Sequence, residues 1–296
     1  MRKLLVVLLL TAGFVSPVHA NTPPTIALID SGVNTKLYPN NIAYEVCVIE
    51  NTVCPNGKSF MEGEGSANLT RFNNSAINHG NQMLSVMVKV NPNVRVIPIR
   101  IVGQTDAGNP YIYSLAGVKS ALDWVVANRA KFNISVVSIA TGKIFAGCAV
   151  PAGLAESVAT LKANNVQIVA ATGNDRNRTS VHSPACLSDV ISVGATDNPH
   201  NKSGVAWDSN AKPTIALYSN GNAQTTLYAN ARWFVTNLDG TTKFTVGTSN
   251  ATASIASWLI LNKRETWDST YQNLIVSASG TASNQWLTGR YLLINS

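Results

Sequence analysis

The sequence predicts an α/β fold, a doubly wound and mostly parallel sheet flanked by helices, with a small antiparallel β margin. Two features of the chain lead to this prediction. Short apolar runs, typical of strands buried on both faces, alternate with segments whose apolar residues recur at helical spacing. In a parallel sheet, such alternation places helices on the two faces. The margin is predicted from the alternating apolar and polar residues of 213–246.

The elements can be assigned in chain order. The apolar run 25–29 predicts a first strand that ends at Asp30, and the polar, Gly- and Asn-rich stretch 34–78 predicts a surface excursion with little regular structure. His79 begins a predicted helix, and Ser249 begins the last one. The helix that starts at His79 continues over 80–90, and the remaining predicted helices are 114–130 and 154–164. The remaining predicted strands are 94–102, 134–139, 166–171 and 190–195.

Residues 1–20 have the pattern of a secretory signal peptide. Two basic residues precede the apolar stretch 4–10, and residues 18–20 form a small-residue cleavage site. This stretch is shorter than the roughly 20 residues that a spanning helix needs, so we expect no membrane association after cleavage. We expect residues 21–296 to be exported, to the periplasm or outside the cell, as a single monomeric domain.

The positive charge of the chain does not indicate a nucleic-acid-binding protein. The formal charge is +7, and +5 remains once the two basic residues of 1–20 are removed. Lys and Arg are scattered, without a basic run or an interleaved aromatic platform. We therefore expect a solvated surface and no nucleic-acid partner.

Four cysteines in an exported chain favour disulfide bonds. A bond between Cys47 and Cys54 would close a short loop, and a bond between Cys148 and Cys186 would join two loops, although other pairings remain open. Neither Cys-x-x-Cys nor His-Glu-x-x-His occurs, so no metal site is predicted from the motifs. The sequence does not decide whether structural calcium is bound.

Three side chains suited to hydrolysis stand at predicted element boundaries. Asp30 lies in Asp-Ser-Gly at the end of the first strand, His79 in His-Gly and Ser249 in Gly-Thr-Ser at helix starts. The order Asp, His, Ser is that of subtilisin and differs from the orders in chymotrypsin and the α/β-hydrolases. Together with Ala-Ala-Thr-Gly-Asn at residues 170–174, these motifs resemble the subtilisin-like serine proteases, the subtilase family, from about Thr25 to about Trp258.

The resemblance implies a secreted serine endopeptidase that needs no cofactor for its chemistry. Ser249 would be the nucleophile, His79 the base that takes its proton, and Asp30 the acceptor that orients the imidazole. Asn174 and the backbone N–H of Ser249 would form the oxyanion hole, since the first amides of a helix are unpaired.

The resemblance also implies a polypeptide substrate, bound extended as an added strand. Ser138, Ala140 and Gly142 lie in the segment that would pair with it, and Gly142 would leave room for the bound chain. The primary specificity pocket would lie between residues 140–142 and 171–174, and its small neutral walls imply acceptance of apolar side chains.

The chain departs from the family pattern at supporting positions. Asn81 replaces the usual Thr, Asn250 and Ala253 the usual Met and Pro, and Ala140 the usual Ser. These changes keep open the alternative of a catalytically inactive binding protein with the same fold. The chain does not carry the Gly-x-Ser-x-Gly motif of an α/β-hydrolase esterase, because residue 251 is Ala, so this class is not favoured.

Secreted relatives carry an inhibitory pro-segment that assists folding. Only residues 21–24 separate the predicted cleavage site from the first strand, so we expect a domain without such a segment. Either it folds unaided or an exported partner helps it to fold.

Overall fold

The computed structural model describes residues 22–50, 53–69, 77–103, 114–197 and 212–294. The predicted signal peptide lies outside these ranges. The strands are β1 (Thr25–Asp30), β2 (Val46–Val48), β3 (Phe60–Glu62), β4 (Arg95–Arg100), β5 (Ile134–Ile139), β6 (Gln167–Ala171), β7 (Ile191–Asp197), β8 (Thr214–Ile215), β9 (Leu227–Asn230), β10 (Arg232–Thr236), β11 (Thr242–Val246), β12 (Gly280–Ser283) and β13 (Thr288–Leu292). The helices are α1 (His79–Val90), α2 (Leu115–Asn128), α3 (Leu154–Ala163), α4 (Thr248–Leu261) and α5 (Trp267–Ser277), with single helical turns at Thr35–Leu37 and Ala146–Cys148.

A large sheet runs through the described part of the chain in the order β3-β2-β4-β1-β5-β6-β7-β8-β12-β13-β9. The strands from β2 to β7 in this order are parallel to their neighbours. β7 also pairs with β9, so that β7, β8, β12, β13 and β9 close a ring of strand pairings. The hairpin β10–β11 forms a separate antiparallel sheet.

Helices cover both faces of the sheet. Alternate residues of β1 enter two different cores: Ile26 and Leu28 pack with α1 and α4, whereas Ala27 and Ile29 pack with α2 and α3. This is the period-two alternation of a strand, applied to a sheet that is buried on both faces. The predicted α/β class with a doubly wound, mostly parallel sheet is confirmed.

The small antiparallel margin expected of 213–246 is confirmed, because β8 is antiparallel to β7 and β10 is antiparallel to β11, although β9 runs parallel to β7. The stretch 34–78 carries little regular structure, as expected, but it adds the short strands β2 and β3 to the sheet. Val46 of β2 is fully buried and pairs with Ile99 of β4. Beyond α4, where no element was assigned, the chain adds α5, β12 and β13.

Both preferred disulfide pairings form. Cys47 bonds Cys54 across 7 residues, and Cys148 bonds Cys186 across 38 residues. The first bond ties the end of β2 to the following turn. The second joins the loops after β5 and after β6.

Candidate active site

The three predicted catalytic side chains come from elements that meet at the carboxyl end of the sheet. Asp30 is the last residue of β1, His79 the first of α1, and Ser249 the second of α4. Helix α1 packs against both β1 and α4 on one face of the sheet. Open α/β sheets bind ligands at the carboxyl ends of their strands, which makes this edge the candidate site.

Asp30 and His79 form a close pair. Both carboxylate oxygens of Asp30 lie 2.9 Å from Nδ1 of His79. The Asp30 side chain is 1% exposed and the His79 side chain is 27% exposed, so the carboxylate is shielded while the imidazole borders the surface. An imidazole held at Nδ1 by a carboxylate keeps Nε2 for proton transfer.

The backbone around this pair is tightly joined. The hydroxyl of Ser31 accepts from the Gly80 N–H at 2.9 Å and donates to the carbonyl oxygen of Ile77 at 2.8 Å. A Cβ at Gly80 would lie 2.4 Å from the carbonyl oxygen of Gly32. The loop after β1 and the start of α1 therefore touch backbone to backbone.

The environment of His79 changes its proton affinity. Burial alone lowers the pKa of the imidazole, but the charge of Asp30 and its hydrogen bond raise the pKa by more, so that it lies above the ordinary value. The nearby charge of Lys243 lowers the pKa slightly. Asp30 therefore favours the imidazolium that forms when His79 accepts a proton.

Ser249 begins a helix that packs against α1, but its hydroxyl is not hydrogen-bonded to this pair in the described structure. Its hydroxyl donates to the carbonyl oxygen of Ala140 at 2.8 Å instead of contacting the imidazole. Ala140 directly follows β5, whose Ile139 pairs with Ile29 of β1. Neighbouring strands are about 4.8 Å apart, so the carbonyl that Ser249 contacts is one strand away from Asp30.

Asn174 is held against the start of α4. Its side-chain oxygen accepts from the backbone N–H of Thr248 at 3.0 Å and from the Thr248 hydroxyl at 3.1 Å. Because two donors fix this oxygen, the amide nitrogen is left on the other side of the group. The Asn174 residue is exposed, so this nitrogen is available to a ligand.

The amide of Ser249 is a second available donor. Helix α4 begins at Thr248, and the Gly247 carbonyl accepts from the amides of Asn250 and Ala251. No acceptor for the Ser249 N–H lies among the described residues, as expected in the first turn of a helix. The helix dipole also favours negative charge at this end.

The predicted substrate-pairing residues differ in accessibility. Ser138 is fully buried, and it pairs with Leu28 of β1 and with Val169 of β6. Both sides of this strand position are therefore occupied within the sheet, and the contact of Ser138 with substrate stays a prediction. Ala140 lies past the end of β5, where its carbonyl meets Ser249.

Gly142 lies tightly against the loop that carries His182. A Cβ there would lie 2.6 Å from the Cβ of His182 and 2.9 Å from the carbonyl oxygen of Ser183. The absent side chain thus makes room for the loop of His182, and the role of Gly142 in substrate binding stays a prediction. Sequence analysis missed His182, since its loop position carries no local motif.

The departures from the family pattern have structural partners. The buried Asn81 side chain donates to the carbonyl oxygens of Thr236 and Asn237 at 2.9 and 3.0 Å and accepts from the Asn34 N–H at 3.0 Å. The Asn250 side chain donates to the carbonyl oxygen of Ala231 at 3.0 Å. The two asparagines tie α1 and α4 to neighbouring segments, and no hydrogen bond joins either of them to the Asp30–His79 pair in the described structure.

The described ranges contain neither a candidate metal cluster nor a candidate membrane span. No group of three or more His, Cys, Asp or Glu side chains there could hold a metal ion. None of the helices in those ranges is long and apolar enough to cross a membrane.

Comparison with known proteins gives a consistent result. The chain is 27% identical over 174 residues to the "Minor extracellular protease Epr" of Bacillus subtilis (strain 168), covering 58% of this chain and 23% of that protein. It is 26% identical over 167 residues to an "Extracellular serine proteinase" of a Thermus species, covering 56% of this chain and 37% of that protein. The chain thus spans well under half the length of these relatives.

Solved structures share the fold. A cold-adapted subtilisin-like serine proteinase superposes with a TM-score of 0.66 at 20% identity, covering 92% of this chain and 89% of that one. The prenylagaramide maturation protease PagA gives a TM-score of 0.63 at 17% identity, covering 87% and 84%. The model of the subtilase family matches residues 22–290, further than the likeness seen in the motifs, and the chain therefore belongs to the subtilase family.

Proposed function

We propose that this protein is a secreted serine endopeptidase that hydrolyses peptide bonds through an acyl-enzyme on Ser249. The observation that carries the proposal is the pair of 2.9 Å contacts between the buried Asp30 carboxylate and Nδ1 of His79. A serine hydroxyl is a weak nucleophile until a base takes its proton, and the neutral imidazole, oriented at Nδ1 by Asp30, is placed for that role.

Substrate binding supplies the remaining contact in this proposal. The Ser249 hydroxyl leaves the Ala140 carbonyl and turns to Nε2 of His79, because an extended substrate offers a backbone N–H to that same carbonyl. His79 then takes the hydroxyl proton as Ser249 attacks the scissile carbonyl carbon. The imidazolium returns the proton to the leaving amine, and water activated by His79 hydrolyses the ester.

Two donors stabilise the oxyanion of each tetrahedral intermediate. They are the side-chain amide of Asn174 and the backbone N–H of Ser249. The positions of the two donors support this assignment. The hydrogen bonds from Thr248 to the Asn174 oxygen leave the amide nitrogen facing outward, next to the first turn of α4. Donors fixed before the reaction need no reorganisation when the charge develops.

One observation favours a second candidate, an inactive binding protein. The Ser249 hydroxyl is bonded to Ala140 and not to the imidazole, so the described structure lacks the contact that activates the nucleophile. The close contact of Asp30 with His79, and of Asn174 with the first turn of the helix that carries Ser249, favours the enzyme.

Labelling with a fluorophosphonate distinguishes the two. We expect the probe to modify folded wild-type protein at Ser249, located by mass spectrometry, and His79→Ala to slow labelling by at least about 100-fold because the base is gone. Ser254→Ala is the matched control, since that buried hydroxyl on the same helix bonds only the Ala251 carbonyl. Folded protein that stays unlabelled would support the binding protein instead.

Secretion and a monomeric state complete the proposal. The two disulfides and the extracellular relatives are consistent with export. Cell fractionation and light scattering of the purified protein test these two points.

A further inference from the structure

The ring of His182 occupies the space between two segments at the carboxyl edge of the sheet. A Cβ built on Gly142 would lie 3.0 Å from Nδ1 of His182, and a Cβ built on Gly173 would lie 2.3 Å from its Nε2. One edge of the imidazole therefore abuts the residues after β5, and the opposite edge abuts the residues after β6. The ring spans the gap between them.

His182 is held in this position by its own backbone and by Asp175. Its N–H donates to the Thr172 carbonyl at 2.9 Å, and its Nε2 lies 2.5 Å from the Asp175 carboxylate. The His182 side chain is 15% exposed. Asn220 donates to the same carboxylate at 2.8 Å, and its oxygen accepts from the Asp175 N–H at 2.9 Å.

The charge state of Asp175 sets the hydrogen-bonding character of the ring. Burial raises the pKa of this carboxyl, but hydrogen bonds from Asn220 and His182 outweigh that effect and lower it. The carboxylate is ionised at neutral pH and accepts the proton on Nε2 of His182. In the tautomer that carries its proton on Nε2, Nδ1 is an acceptor, and it has no hydrogen-bond partner among the described residues.

We propose that His182 is a specificity-determining residue: its ring fills the room between Gly142 and Gly173, so that the substrate side chain preceding the scissile bond must be small. This inference rests on the proposed peptidase function. It selects Gly, Ala or Ser at that position, with the Ser hydroxyl able to donate to Nδ1. Large apolar side chains such as Leu and Phe are excluded. The small neutral residues at 140–142 and 171–174, considered alone, had implied that such side chains would be accepted.

A pair of peptide substrates tests it, differing only in Ala or Phe before the scissile bond. We expect the wild type to prefer Ala by at least about 10-fold in kcat/KM, since even one misfitting methylene changes discrimination by about 10- to 200-fold. His182→Ala opens the gap and shifts the ratio toward Phe by about 10- to 200-fold. Thr179→Ala, an exposed change in the same loop, leaves the ratio unaltered.

The possible results separate this inference from the proposed function. Wild-type enzyme that is labelled at Ser249 but prefers Phe, with a ratio unchanged in His182→Ala, overturns the inference alone. Wild-type protein that neither labels nor cleaves either peptide overturns both. If His182→Ala does not fold, the preference of the wild type decides, because a ring in the gap and a Phe preference are incompatible.

Discussion

Replacing Asn174 by Ala tests the oxyanion hole directly. The change removes the outward amide nitrogen, which the proposed mechanism uses in the transition state more than in the ground state. One such donor contributes on the order of 10² to 10³ in kcat, about 2.7–4 kcal/mol, as measured for the corresponding asparagine donor of subtilisin. We therefore expect kcat to fall by that factor with KM nearly unchanged.

The same change has a small structural effect that must be separated from the kinetic one. Thr248 loses an acceptor for its N–H and for its hydroxyl, contacts of 3.0 and 3.1 Å. Because Asn174 is exposed, water replaces much of this, and we expect a destabilisation of about 1 kcal/mol. In a domain of this size that lowers Tm by about 2–4 °C.

The assay is steady-state hydrolysis of one peptide, with thermal unfolding measured on the same samples. Asn56→Ala is the control: it also removes an exposed asparagine that accepts a backbone N–H, from Lys58 at 3.0 Å, but in the turn before β3. We expect it to keep wild-type kcat. If Asn174→Ala lost less than about 5-fold in kcat while chemistry limits the rate, the assigned donor would be wrong.

Two further predictions concern pH and the disulfides. Asp30 raises the pKa of His79, so we expect activity to fall as pH drops through a midpoint above about 6.5, where His79 loses its base form. Asp30→Asn should lower that midpoint and reduce kcat on the order of 10⁴-fold. A profile of kcat/KM that stays flat over about pH 5 to 8 would contradict this role of His79. Replacing Cys148 and Cys186 by Ala should lower the free energy of unfolding, measured by urea denaturation, by about 4 kcal/mol, and replacing Cys47 and Cys54 should lower it by about 2 kcal/mol. The difference is expected because a disulfide that closes a 38-residue loop restricts the unfolded chain more than one that closes a 7-residue loop. Equal losses would show that loop length does not control the stabilisation.

The sequence was most informative where local pattern and topology agree. The apolar run that ends at Asp30 and the helical stripe that starts at His79 each specify an element boundary, and parallel topology brings such boundaries to one edge. The contact between Asp30 and His79 follows from that, whereas their catalytic roles stay predictions. The strand pairing of Val46 could not be read locally, because it depends on Ile99 far along the chain.

Side-chain arrangement at the site was the least predictable part. Whether the Ser249 hydroxyl meets Ala140 or His79 depends on one rotatable bond, to which no sequence period corresponds. The position of His182 depends on Asp175 and Asn220, which lie on separate loops and signal nothing together in the sequence. Sequence reasoning therefore predicted the contact of Asp30 with His79 but not the position of the His182 ring.

The backbone contact of Gly80 with Gly32 limits how this protein can evolve or be redesigned. A single methyl group at residue 80 would push the first turn of α1 away from the end of β1, because the nearest atom belongs to a peptide unit that cannot swing aside. That retreat would stretch the 2.9 Å contacts between acid and imidazole. Engineers who stabilise helices by exchanging glycine for alanine should thus spare this position, where a gain in helix propensity would be offset by a misaligned proton acceptor.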